Sequence, residues 1–187
     1  MEKIKTSWIV LGVIAVLLLW VMGAYNGLVA GQNNINGQWA QVENQLQRRN
    51  DLIPNLVKVV KGYAKHEKDV FANIADARAR LAGAKSIDDK VKANNDMSNA
   101  ISRLLMIAEN YPNLKANQNF LALQDQLEGT ENRIAIERQR YNELVKNYNN
   151  TRNFFPGNII GGIFKFEKNK EYIKVPESKK DVPNVDM

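Results

Sequence analysis

The sequence predicts an all-α fold: an N-terminal transmembrane helix followed by an antiparallel four-helix bundle. Three observations carry this. Residues Thr6 to Val42 contain no charged side chain, and Trp8 to Tyr25 form an almost unbroken apolar run. Beyond the run, apolar residues recur every three or four positions in successive stretches, the spacing of helices with one buried stripe. No segment of any length alternates with the period of two that a half-buried strand needs.

The first element is WIVLGVIAVLLLWVMGAY, residues 8–25. A helix crosses a bilayer's hydrocarbon core with about 20 apolar residues. Trp8, Leu11, Ile14, Leu18, Trp20 and Tyr25 are the candidate membrane-spanning residues, with Trp8 and Tyr25 placed where interfacial aromatics belong. A cleaved signal peptide is the main rival reading. It needs small residues in an A-x-A-like pattern and a shorter apolar core, whereas Met22 lies two positions before Ala24. The chain has no cysteine, which rules out a lipoprotein anchor. Lys3 and Lys5 precede the run and the next basic residue is Arg48. The positive-inside rule therefore keeps the N-terminus in the cytoplasm and exports the rest.

Residues 1–25 are thus read as a cytoplasmic tip and span, and 26–153 as the helical bundle. Residues 154–173 form an apolar C-terminal segment near the membrane or capping the bundle. Residues 174–187, without apolar period, form a disordered tail. In the bundle, Leu28, Gln32, Ile35, Trp39, Val42 and Leu46 make the first stripe. Pro54 is costly inside a helix and harmless in a first turn, and Asn50 or Asp51 can cap the helix it opens. A reversal is therefore expected near residue 50. The alternative is a kinked continuous helix, because Val42, Leu46, Ile53, Leu56, Val60 and Tyr63 stay in phase. A second helix carries Ile53 through Leu81, with Val70 and Ile74 on its stripe, and stops near Gly83. Ser86, with Asp89 three residues on, caps a third helix that ends before Pro112. The fourth repeats Phe120, Leu127, Ile134, Tyr141 and Tyr148 every seven residues and breaks at Phe154-Phe155-Pro156-Gly157. With reversals near 50, 84 and 112, the end of the fourth helix returns to the level of Tyr25. A helix continuous through Pro54 would put residues 154–170 at the far end instead.

The net charge of +6 is spread along the chain. It suits a solvated surface beside an anionic membrane better than a nucleic-acid site. His66 is the only histidine, so neither a zinc motif of the HExxH type nor a di-iron bundle is available. No metal, cofactor or catalytic residue is expected. Arg48, Arg49 and Asp51 are a charged cluster that either binds a phosphate or a partner's carboxylate, or serves helix ends as dipole partner and cap. Glu131, Arg133, Glu137 and Arg138 interrupt the apolar seam of the fourth helix, and Thr130 and Glu137 stand where its repeat wants apolar residues; the stretch is a solvated or ion-paired face, or a polar groove for a partner helix. Phe154, Phe155, Phe164 and Phe166, with nearby lysines, are candidates for contact with lipid or a partner. YNGLVAGQNN from Tyr25 and YNELVKNYNN from Tyr141 echo one another. Both are stripes of one helical type, or the two lie side by side.

YNGLV after the apolar run, QLQRRNDLIPNLVKVVKGYAKHE at 45–67, ADARARL at 75–81, YNELVKNYN at 141–149 and FFPGNIIGGIFKF at 154–166 together resemble the LemA family of bacterial membrane proteins. The resemblance spans residues 25–166. It implies an N-terminal membrane helix and a bundle of four main helices, and it supplies no reaction. It also implies a short exterior N-terminus, opposite to the charge argument, which is retained here. The resulting expectation is a single-pass, membrane-anchored interaction or scaffold protein of the bacterial cell envelope, not an enzyme. The alternative is a membrane-surface protein that binds or shapes lipid. Its partners would be the bilayer and another membrane or envelope protein, not nucleic acid, with self-association left open.

Overall fold

A computed structural model describes residues 6–168 and 170–173. Lys3, Lys5 and the tail 174–187 lie outside the described residues. Within them the chain forms six helices and no strand: α1 (Thr6–Tyr63), α2 (Lys68–Gly83), α3 (Ile87–Ala108), α4 (Pro112–Lys115), α5 (Gln118–Asn153) and α6 (Gly157–Ile163). The all-α expectation holds, and α1 begins with the long apolar run.

The expected reversal near residue 50 is absent. α1 runs through Pro54 and ends at Tyr63, and the chain turns at residues 64–67 instead. Magnitudes explain this. Proline inside a helix costs about 3 kcal/mol. Val42, Leu46, Ile53, Leu56 and Val60 are all buried on one face, and each such burial contributes about 1.5–3 kcal/mol. Breaking their common phase would cost more than the proline does. Pro54 itself is exposed, so its ring takes no position in the buried stripe. Tyr63, expected in the stripe, is exposed at the helix end, where its hydroxyl accepts from Asn117 Nδ2 at 2.9 Å. The reversal has moved rather than vanished. Phe164 and Phe166 lie against Tyr25, so the far-end placement tied to a continuous helix is incorrect.

The other boundaries follow local chemistry. Ser86 Oγ accepts from the Asp89 amide at 3.0 Å and caps α3. Pro112 opens the single turn of α4. Asn117 Oδ1 accepts from the amides of Asn119 and Phe120 at the start of α5, pairing donors that a helix start leaves open. The seven-residue repeat of α5 is buried at all five positions from Phe120 to Tyr148. Val145 beside it is fully buried as well.

The chain divides into two compact units. One comprises residues 40–138 with the segment from Ile173. Its core joins Ile53, Leu56 and Val60 of α1 to Ile74 and Ala77 of α2, Met97 and Leu104 of α3, Leu114 of α4, and Phe120 and Leu127 of α5. The other comprises residues up to Trp39 together with 139–172. Leu28 and Ile35 of α1 are buried in it, as are Tyr141, Val145 and Tyr148 of α5 and Ile160 of α6. Trp39 and Tyr141 meet edge to face at 5.8 Å. Gly31 lets α1 and α5 approach closely, because a Cβ there would lie 3.1 Å from the Tyr148 ring, a tight contact. The echoed segments therefore lie against one another.

Candidate functional site

Among the described residues two places carry more than packing, one in each unit. In the unit of residues 40–138, Arg49 sits in the buried stripe of α1, only 4% exposed. Burying a guanidinium requires partners. Its Nη1 donates to Asn94 Oδ1 and Ser98 Oγ, both at 3.0 Å, and to Glu131 Oε2 at 2.5 Å. Burial pushes the Arg49 pKa below the ordinary arginine value, and Glu131 opposes that shift. Arg138 is shifted the same way by burial, again opposed by Glu131. One carboxylate on α5 thus serves two arginines. Thr130 beside it is buried and donates to the Leu127 carbonyl at 2.8 Å. The polar break in the α5 seam is an ion-paired, hydrogen-bonded layer inside this unit.

Arg48, Arg49 and Asp51 do not form one cluster. Arg49 points inward, while Arg48 and Asp51 are exposed. Asp51 caps no helix; it accepts from Gln47 Nε2 at 2.8 Å, one turn away. No helix ends there for Arg48 or Arg49 to neutralise. Beside Gln47 lies a polar cleft of about 390 Å³ lined by Glu43, Asn44, Gln47, Asn50 and Lys90, with Leu81 closing its α2 side. Lys90 is ion-paired with Glu43 across its mouth. His66 is an exposed residue of the turn 64–67 and not of the second helix, where the sequence placed it. Among the described residues no three His, Cys, Asp or Glu side chains gather as a metal site would need.

The second place is the end of α5 and the chain beyond it. The last two turns of α5 hold this later segment by side chains that bond its backbone. Tyr148 Oη donates to the Glu167 carbonyl at 3.1 Å. Asn149 donates to the Lys170 carbonyl and accepts its amide, at 3.1 and 2.8 Å. Arg152, also buried, donates to the carbonyls of Phe166 and Asn158 at 3.2 and 3.3 Å. Burial raises the Tyr148 pKa, partly offset by Lys170 and Arg152. The segment so held is pressed against α1: Phe164 and Phe166 meet the Tyr25 ring at 4.8 and 5.6 Å, and Phe155 meets Trp20 at 5.4 Å. Of the candidate spanning residues, Trp8, Leu11, Ile14, Leu18 and Trp20 are all exposed, and Tyr25 sits at the border of exposure.

Asn94, Ser98 and the clamp of Tyr148, Asn149 and Arg152 were missed in the sequence. Asn94 and Ser98 are four apart beside Ala93 and Met97, so two inward polar residues on an apolar stripe were the available signal. Asn149 and Arg152 extend the buried face of α5 past Tyr148 by one and four residues.

Comparison with known proteins adds the wider setting. The chain is 24% identical to two magnetosome proteins, MamQ 1 and MamQ 2, of Paramagnetospirillum magneticum, over 89% of this chain and 71% of theirs. It is similarly related, at 24%, to magnetosome protein MamQ of Magnetospirillum gryphiswaldense, over the same shares of both chains. The sequence profile of the LemA family matches residues 38–187. These relationships and the bare apolar start of α1 point to membrane association. The chain belongs to the LemA family.

Proposed function

We propose that this chain is a single-pass, membrane-anchored helical module of the bacterial cell envelope that acts by binding other proteins and has no catalysis of its own. The observation that carries this reading is the state of α1. Its residues 8–25 are apolar and none is buried, yet the same helix continues without a break into buried, folded structure. Exposed apolar surface on that scale calls for a bilayer around it. The lysines before the run and none soon after support a cytoplasmic N-terminus with the rest of the chain exported. The exposed pair Arg48 and Asp51, beside the polar cleft at Gln47 and Asn50, is the surface assigned to a protein partner, either another membrane or envelope protein or a second copy.

A photo-crosslinking residue at position 48 or 51 of the full chain, activated in intact membranes, tests this. Both positions should capture the same partner as one discrete adduct, lost when the neighbouring charge is reversed. Adducts that differ between the two positions, or none, would remove the assignment. Protease added to the outer face should digest the chain beyond residue 30; full protection would reverse the topology.

A further inference from the structure

We propose that residues 154–164 are a second membrane contact, a closed hairpin that enters one leaflet beside α1 and prefers anionic lipid. The inference rests on α1 being the anchor. Phe154, Phe155, Ile159, Ile163 and Phe164 are all at least half exposed. Ile159 and Ile163 stand one turn apart on the outer face of α6, while Ile160 and Gly161 face inward.

Continuity with the span fixes what covers this face. Trp20 lies five residues from Tyr25, or about 7.5 Å further along the helix into the apolar run. Phe155 is 5.4 Å from Trp20, ring to ring, and 69% exposed. A bilayer that surrounds Trp20 therefore also meets Phe155. That depth matches the roughly 5–10 Å to which interfacial helices bury their apolar faces.

The backbone is suited to such a place, where every unpaired amide or carbonyl is costly. The amide of Asn158 donates to the Phe154 carbonyl, those of Ile159 and Ile160 to the Pro156 carbonyl, and those of Phe164 and Phe166 to the Ile160 and Gly161 carbonyls. Arg152 donates to the carbonyls of Asn158 and Phe166 from within. Two glycines allow the closure. A Cβ on Gly157 would lie 1.8 Å from the Thr151 carbonyl oxygen, and one on Gly161 would lie 2.3 Å from Arg152 Nε. At the base of the hairpin, Arg152 and Lys168 line a cleft with Asn153 and Asn158, and among the described residues no acid lines it. Positive charge behind an inserted apolar face favours anionic headgroups.

The chain has no cysteine, so single substitutions can be labelled cleanly in the full protein. Ile159→Cys, Ile163→Cys, Ile14→Cys and Asn33→Cys would each carry an environment-sensitive fluorophore. Each would be reconstituted into vesicles of phosphatidylglycerol and phosphatidylcholine with spin-labelled lipid at shallow or deep positions. Asn33 is exposed on α1 about 12 Å beyond Tyr25, away from the run. Probes at 159 and 163 should be quenched at least threefold more than the probe at 33 by the shallow label, and the probe at 14 by the deep label. Quenching at 159 and 163 no stronger than at 33, with 14 quenched, overturns the hairpin and leaves the anchor standing. The same result with self-quenching that falls on dilution into more lipid means that a second copy covers the face, and also overturns it. An unquenched probe at 14 removes the anchor reading and the hairpin with it. In phosphatidylcholine alone, quenching at 159 should fall about twofold; equal quenching overturns the preference for anionic lipid.

Discussion

Arg49 shows how one buried charge depends on its neighbours unequally. Its guanidinium is almost wholly buried, whereas the Glu131 side chain is 40% exposed. Removing the acid strands the cation inside; removing the cation leaves an acid that reaches water. Glu131→Ala should therefore cost about 3 kcal/mol, as breaking buried pairs does. Arg49→Met should cost about 1–2 kcal/mol, chiefly from the Asn94 oxygen left without its donor. The double substitution should cost little more than Arg49→Met alone, a coupling readable by urea unfolding followed by circular dichroism. A larger loss for Arg49→Met than for Glu131→Ala would contradict this account. The burial was legible once the seam is followed without a break. Val42, Leu46, Arg49, Ile53, Leu56 and Val60 are spaced four, three, four, three, four, so Arg49 occupies a stripe position. A reversal placed at residue 50 cuts that stripe and makes Arg49 look like a helix-end residue. Its partners Asn94, Ser98 and Glu131 lie on other helices, 45, 49 and 82 residues away, beyond the reach of any local pattern.

Elements repeat the lesson about competing local rules. Pro54 and the Asn50-Asp51 pair form a good helix start by sequence, yet the phase of the apolar residues on either side decides the outcome. Proline is tolerated because its ring faces solvent and leaves the buried stripe undisturbed. Pro54→Ala should restore the bond to the Asn50 carbonyl and stabilise the chain by about 1–3 kcal/mol, measured as a raised urea midpoint. A neutral or destabilising result would instead suit a turn at residue 50. The boundaries that the sequence did reveal, at Ser86, Pro112 and Phe154–Gly157, combine a cap or proline with a loss of apolar phase. Where the two signals agree the boundary is readable; at Pro54 they disagree, and the phase prevails.

At the scale of the whole chain, the fold class and the return of the C-terminal segment to Tyr25 were readable from helix lengths and reversals. The clamp that holds that segment was not, because Tyr148, Asn149 and Arg152 bond backbone amide and carbonyl groups, which carry no sequence signal. Deleting residues 1–24 should leave a strongly helical chain, since the buried residues of both units lie beyond residue 27. The deletion also removes Trp20 from the Phe155 ring, leaving the 154–164 face more open. The truncated chain should therefore associate weakly by sedimentation, and Phe155→Ser with Ile163→Ser should return it to a monomer. A truncated chain that loses its helical spectrum would show that the apolar run is needed for folding and not only for attachment.

The unburied start of α1 has a consequence away from any membrane. A chain with one oily end and most of its charged side chains beyond residue 42 is built like a surfactant. Released into water, it should gather by its apolar ends above a critical concentration and disperse below it. Its apparent mass would then follow dilution and added detergent rather than any specific contact between subunits.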